Sequence, residues 1–306
     1  MSQPAPDLTP TAPGPGAALQ RLDWTVVRRL DGLLQGDYRT LFYGHGLDLA
    51  DIREYQPGDD VRYIDWNVTA RMDTPFVRQY HEDREITAHF LCDLSPSLDF
   101  GTVRAQKRGV LEDLVAVLAR LLTRHGNRVG AILYNGSVER AIPAGAGRPQ
   151  VLRILSEIQR SPHLSQAPYT ALADLIDAAA RTIRRRSLVF VVSDFFSAPG
   201  WEPALGRLAM RNEVIAVRIT DPREREIPDI GWVTMTDAET GQQLQVDTHD
   251  RGFRSRFAGV VARHEEALRA AFTRAAVDVL EVSTEDDLVQ AILRFAQARR
   301  QRRARH

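Results

Sequence analysis

The sequence predicts a doubly wound α/β fold, a Rossmann-like parallel sheet with helices on both faces. Two observations carry this. Short apolar strands alternate with helix-period segments from Ile86 to the C-terminal region, the pattern of successive β-α units. One of those strands, Ser187–Ser193 (SLVFVVS), has almost no polar residue inside it, as expected of a strand covered on both faces. A small β-rich element ahead of the sheet and a β-hairpin inserted at about 230–250 complete the expected architecture.

Residues 1–18 are rich in Pro, Ala and Gly and are expected to be a disordered tail. They lack a positive start followed by an apolar core, so they do not read as a secretory signal. Residues 19–85 form a second expected unit. In it, Trp24 to Leu34 reads as a short amphipathic helix with Trp24, Val27, Leu30 and Leu34 on one side. Gly36 to about Glu85 then reads as a compact β-rich element, with turns at Pro57-Gly58-Asp59 and Asp73-Thr74-Pro75. Val61, Tyr63 and Ile64 are assigned to one of its strands, and Phe76, Val77 and Tyr80 to another.

The main domain is expected over residues 86–300. Its first strand, 86–92, leads to a helix over Ala105–His125, where Val110, Leu111, Leu114, Val117, Leu118 and Leu121 recur at helical spacing. Strand Arg128–Asn135 turns at Gly136-Ser137 into Val138–Pro143. Helices follow over Pro149–Arg160 and Thr170–Ile183, then the SLVFVVS strand, a helix over Trp201–Arg211 and a strand over Glu213–Ile219. Trp232–Thr236 and Gln243–Asp247 flank Glu239-Thr240-Gly241 as a hairpin. Helix Phe253–Ala275, strand Val277–Val282 and a helix over Asp286–Arg299 close the domain. Thr284 is the expected cap of that last helix. Residues 301–306 end the chain as a basic tail.

Composition narrows the function. The chain has 306 residues, zero formal net charge and a pI of about 7.1, so no global field draws it to nucleic acid or an acidic membrane. The only cysteine, Cys92, lies in an apolar strand, which excludes an internal disulfide and a thiolate metal cluster. No stretch approaches the ~18 uninterrupted apolar residues of a membrane-spanning helix. The expected location is cytoplasmic. Nearly every basic residue is arginine; the single lysine, Lys107, is read as a product of genome composition.

Chemistry concentrates in ITAHFLCDLSPSLDF, residues 86–100. An apolar run stops at Asp93, and hydroxyls follow at Ser95 and Ser97. A carboxylate and two hydroxyls are hard oxygen donors, suited to Mg²⁺ or Mn²⁺ rather than Zn²⁺. In doubly wound sheets ligands bind beyond the carboxyl ends of the strands, where strand order reverses. If SLVFVVS neighbours the first strand, Asp194 faces the same crevice, and Thr170 can offer its hydroxyl there. Read as turn chemistry alone, Asp93 and Ser95 would simply bond nearby backbone N–H groups.

Together, Asp93-x-Ser95-x-Ser97, Thr170 and Asp194 resemble the metal-ion-dependent adhesion site of von Willebrand factor type A domains, over residues 86–300. The resemblance implies Mg²⁺ (or Mn²⁺) held by the hydroxyls and the aspartates, with one coordination position open to a partner's carboxylate. Two positions differ from many such domains. Leu98 follows the second serine in place of Met, and Phe195 follows the second aspartate in place of Gly. Phe195 and Phe196 are expected to narrow the rim.

A second motif precedes the sheet: Tyr55, Pro57, Gly58, Asp59, Asp60, Arg62, Asp65, Trp66 and Arg71 within REYQPGDDVRYIDWNVTAR. From the residues alone, its charges read as internal ion pairs, Asp65 lying within reach of Arg71 or Arg53, with Trp66 as an apolar anchor. This run, followed by the DxSxS segment, closely resembles the bacterial family known as domain of unknown function 58. That resemblance implies a non-enzymatic adaptor, accessory to a MoxR-type AAA+ ATPase in chaperone-like maturation of client proteins.

Two other readings stay open. A Mg²⁺-dependent phosphoesterase or nuclease would use the two aspartates and the metal to activate water. The sequence shows no evident general base or nucleophile for it and no phosphate-binding loop with lysine; His45, His81 and His89 receive no role. The terminal ARRQRRARH could touch phosphates, but it reads rather as a frayed, solvated helix end whose arginines suit the helix dipole. Nucleic acid is not an expected partner.

Overall fold

The computed structural model describes residues 14–33, 51–57, 59, 61, 64–72, 74–79, 86–102, 105–164, 170–237 and 239–303. Residues 1–13 of the expected tail and 304–306 of the basic end lie outside the described residues.

A helix starts inside the segment expected to be a tail. α1 spans Pro15–Leu22, runs through a wider π turn over Asp23–Val27, and continues as α2, Arg28–Leu33. Pro15 takes a first-turn position, where its missing N–H costs nothing and its fixed φ suits the helix. Leu19, Leu22, Val27 and Leu30 are buried in the main core, and Arg120 holds Asp23 at 3.1 Å. The helix is therefore part of the domain's packing. Proline and glycine content misled the tail boundary because it carries no information about that apolar stripe.

The small element contains β1, Asp51–Glu54, and β2, Phe76–Gln79, paired antiparallel. A short helix, α3, Trp66–Met72, lies between them. Ile64 makes one antiparallel bridge to Val77. Val61 is exposed, and Tyr63 and Tyr80 lie outside the described residues.

The main sheet has six strands: β3 (Thr87–Asp93), β4 (Arg128–Tyr134), β5 (Val138–Gly145), β6 (Leu188–Ser193), β7 (Glu213–Thr220) and β10 (Asp278–Ser283). Their order is β10-β7-β6-β3-β4-β5, all parallel except β5, which pairs antiparallel on the edge. Helices cover both faces. On one side lie α1, α4 (Lys107–Arg124), α5 (Gly147–Arg160) and α10 (Leu288–Arg303). On the other lie α6 (Leu172–Thr182), α7 (Trp201–Ala209) and α9 (Arg251–Ala275). Every residue of β6 is buried, and Phe90 and Phe190 stack across β3 and β6 with centroids 5.0 Å apart. The doubly wound α/β architecture is the expected one.

This order fixes the crevice. From β3 the chain moves outward to β4 and β5, then returns to lay β6 on the opposite side of β3, so strand order reverses between β3 and β6. Cys92 pairs with Val192, which sets Asp93 beside Ser193 and Asp194 at the carboxyl edge. The hairpin, β8 (Trp232–Thr236) and β9 (Gln243–Asp247), forms a separate two-stranded sheet near the same edge.

The expected cap of the last helix is corrected. Thr284 spends its hydroxyl on Asp221 (2.9 Å), and α10 instead starts with Gln290 N–H donating to Asp287 (3.1 Å). The helix begins at Leu288, three residues later than a Thr284 cap would set it, so Asp287 takes the cap position and the Thr284 hydroxyl donates to the buried Asp221 carboxylate.

Candidate functional site: an oxygen-lined crevice with a built-in cation

β3 ends at the boundary between apolar and polar sequence, so Asp93 leaves the sheet with its carboxylate inside the crevice. It is fully buried and held on both oxygens: Ser95 N–H donates to Oδ1 (3.0 Å) and Ser193 Oγ donates to Oδ2 (2.7 Å). Pro96–Asp99 forms a single 3₁₀ turn, which brings Ser95 Oγ and Ser97 Oγ to 3.2 Å. Burial first, and the neighbouring Asp194 charge second, push the Asp93 carboxyl up to about 6, against the pull of its hydrogen bonds.

Asp194 is also fully buried. Phe196 N–H donates to its Oδ1 (3.0 Å), and Lys107 Nζ approaches Oδ2 at 2.7 Å. Lys107 opens α4, its side chain is fully buried, and its ammonium also bonds Glu224 of α8 (Pro222–Arg225). Burial alone would push that ammonium down, but the two facing carboxylates more than offset this and hold it above the usual lysine range. The crevice therefore carries its own positive charge.

Thr170 lies just before α6. Its carbonyl accepts from Ser197 Oγ (2.8 Å) and Ala198 N–H (2.9 Å), which ties it to the segment after Asp194. Its hydroxyl and N–H both donate to Glu239 of the hairpin tip, at 2.7 and 3.1 Å. The structure thus gathers Asp93, Ser95, Ser97 and Asp194 at one crevice and joins Thr170 to it through Ser197. Among the described residues, no group of three or more His, Cys, Asp or Glu side chains is arranged to hold a metal, so a cation here would depend on the hydroxyls.

The aromatic pair behaves differently from expectation. Phe195 has a positive φ of 62°, which explains why glycine suits this position. Its ring does not line the rim: it is buried against Trp201 and Phe272, at 5.3 and 4.9 Å. Phe196 does sit toward the opening, half-exposed, stacked on His264 at 4.8 Å and 5.7 Å from Lys107 Nζ. Leu98 is buried in the core.

In the second motif, Arg53 grips Asp59 with two bonds of 2.8 and 2.7 Å, and Gln56 N–H closes the turn on Asp59 (2.8 Å). Tyr55 N–H donates to Pro75 O (2.8 Å), while Pro57 is exposed. Asp65 accepts from Val68 N–H (3.2 Å) and so starts α3. The expected apolar anchor is corrected: Trp66 is 71% exposed, because Asp65, Val68 and Thr69 form the inward face and Trp66 lies on the opposite side of α3. Arg71 is exposed too. Gly58, Asp60 and Arg62 lie outside the described residues.

Sequence reasoning missed three groups that complete the crevice: Lys107, Glu224 and Glu239. The one available signal was Lys107 itself, a lone lysine in a chain that otherwise uses arginine.

This is an α/β protein with a polar, charge-compensated crevice at the switch point of its sheet. The chain belongs to the family described as "Protein of unknown function DUF58", whose model matches residues 51–267. It is 38% identical to uncharacterized protein Rv1480 of Mycobacterium tuberculosis (strain ATCC 25618 / H37Rv) over 284 residues, 93% of this chain and 89% of the relative. Uncharacterized protein MAV169 of Mycobacterium avium is 35% identical over 159 residues, 52% of this chain and 94% of the relative. Among solved structures, similarity is found to BatB from Bacteroides thetaiotaomicron (17% identity, 71% of this chain, 98% of that chain, TM-score 0.44). It is also found to the SpRpn10 VWA domain (12% identity, 69% and 94% coverage, TM-score 0.41). No helix among the described residues is long and apolar enough to cross a membrane.

Proposed function

We propose that this chain is a non-enzymatic protein-interaction module whose crevice takes an acidic side chain from a partner. The observation that carries this reading is the bond between Thr170 and Glu239: the mouth of the crevice already engages a carboxylate through two converging donors. We further propose that the partner is a MoxR-type AAA+ ATPase or its client in the cytoplasm, with this chain as an accessory in chaperone-like maturation. The DUF58 motif Tyr55–Arg71, with its exposed Trp66 and Arg71, offers a second contact surface.

The donor set fits Mg²⁺ or Mn²⁺ in part. Two ligands on adjacent corners of an octahedron with bonds of about 2.0–2.1 Å lie roughly 3 Å apart, and the Ser95 and Ser97 hydroxyls are separated by 3.2 Å. The Ser95, Ser97 and Thr170 hydroxyls and the Asp93 and Asp194 carboxylates would hold the ion. Bound there, it would supply an open position for a carboxylate. Lys107 already compensates Asp194, so the ion adds to an existing positive charge and its affinity is expected to be modest. One shared carboxylate gives limited affinity, and the surrounding surface adds the rest.

The test is capture of the co-expressed ATPase by the full chain, with and without EDTA, and with Asp93→Ala confirmed as folded by its melting profile. The reading expects loss of capture in both cases. Capture indifferent to chelator but lost in Asp93→Ala removes the metal and keeps the crevice. Capture indifferent to both removes the crevice.

A further inference from the structure

We propose that the β8–β9 hairpin is a tethered plug. Glu239 occupies a carboxylate receptor at the start of α6, and an acidic partner residue enters by displacing it. This rests on the docking reading above and adds its regulation.

The receptor is built for a carboxylate. Thr170 N–H donates to Glu239 Oε2 and Thr170 Oγ1 donates to Oε1. Two donors converge on two different oxygens. A carboxylate accepts at both; an amide would turn its NH₂ against one donor. The start of a helix adds a favourable field for negative charge. Glu239 itself is half-buried, so its charge is drawn partly out of water for this contact.

The hairpin is made to present that one side chain. At its tip Asp237 Oδ1 accepts from Glu239 N–H (2.8 Å) and Thr240 N–H (3.1 Å), and Gly241 takes a φ of 70° to close the turn. At its base Thr248 Oγ1 donates to Gly231 O (2.8 Å) and accepts from Ile230 N–H (2.9 Å). Along the arm Trp232 is 74% and Leu244 62% exposed, and the buried apolar side chain of its two strands is Val246, close to the base. No apolar burial beyond Val246 holds the strands down, so the Glu239 contact decides where the tip rests. An element with few buried apolar contacts opens at low cost.

A competing carboxylate must therefore overcome a tethered rival. Its apparent affinity is reduced by the fraction of molecules whose tip is open, and removing Glu239 removes that reduction.

The probe is a synthetic peptide copying residues 236–243, titrated by calorimetry into the full-length protein. Glu239→Ala is expected to bind it at least about tenfold more tightly than the wild-type chain. A peptide with glutamine in place of its glutamate should not bind. In the Glu239→Ala background, Thr170→Val should abolish binding and Thr170→Ser should retain it, which separates loss of the hydroxyl from loss of the fold. The proposal is overturned if Glu239→Ala binds the peptide no better than wild type, if the glutamine peptide binds equally, or if Thr170→Val has no effect. Peptide failure alongside ATPase capture that still depends on Asp93 would sink the plug alone; peptide binding without any such capture would sink the partner assignment alone.

Discussion

Replacing Lys107 by Met tests whether the ammonium is what makes the crevice stable. Methionine keeps an unbranched stem of similar volume, so packing changes little. The charge is lost, and Asp194, fully buried, then faces Glu224 and Asp93 with no cation between them. Breaking a buried pair by removing one partner costs about 3–5 kcal/mol. Glu224, at 17% side-chain exposure, recovers some solvation, which favours the lower half of that range. For a chain of this length each kcal/mol moves the melting temperature by about 2 °C, so the expected drop is roughly 6–8 °C. Differential scanning calorimetry and urea unfolding at pH 7 measure it. A Lys107→Met protein that melts within a degree of wild type would refute the reasoning, since the buried carboxylates would then need no cation. Lys107→Arg is expected to fall between the two, because it restores charge but forces a larger planar group into a filled site.

Three further outcomes are expected. Asp221 joins Thr102, Arg223 and Thr284 across three loops; burial pushes its carboxyl up, but these bonds outweigh it and leave the pKa below the usual aspartate value. A depressed folded-state pKa contributes stability that is present above the unfolded value near 4 and lost as pH falls through the folded one. Urea midpoints should therefore fall more steeply below pH 4 in wild type than in Asp221→Asn, which should already be weaker by about 2–4 kcal/mol at pH 7. Phe195→Gly relieves a left-handed backbone worth about 1 kcal/mol but deletes a ring packed on Trp201 and Phe272, a loss of about 3–5 kcal/mol, so it should destabilise by about 2–4 kcal/mol in equilibrium unfolding. Ser193→Ala removes the hydroxyl that donates to Asp93 Oδ2 and should cost about 1.5–3 kcal/mol; an unchanged urea midpoint would mean that the bond adds nothing.

What could be read from the sequence was whatever depends on local pattern. The buried run of β6, the helical spacing in α4 and the abrupt end of β3 at Asp93 each reflect burial of neighbouring residues, and periodicity records that directly. The pairing of β6 with β3 stood only as a condition in the sequence; the fold meets it, and that places Asp194 beside Asp93. The groups that were not legible act over long range. Lys107 is 87 residues from Asp194, and Glu239 is 69 residues from Thr170. Nothing in the local pattern of a helix's first residue or a hairpin's turn says which crevice it will reach. Trp66 failed for the opposite reason: aromatic size predicts burial on average, but α3 turns Asp65, Val68 and Thr69 inward and leaves this ring on its outer face.

The solitary lysine has a practical consequence for watching this molecule open. Its ε-amine is the only side-chain amine in the chain for amine-selective acylating reagents and the only cleavage point for a lysine-specific protease. In the closed crevice it is both shielded and protonated, hence unreactive. Slow labelling of the native protein would therefore report a single event, the release of Lys107 from Asp194 and Glu224. Its rate, followed by intact mass with the terminal amine counted separately, becomes a clock for breathing at the heart of the site.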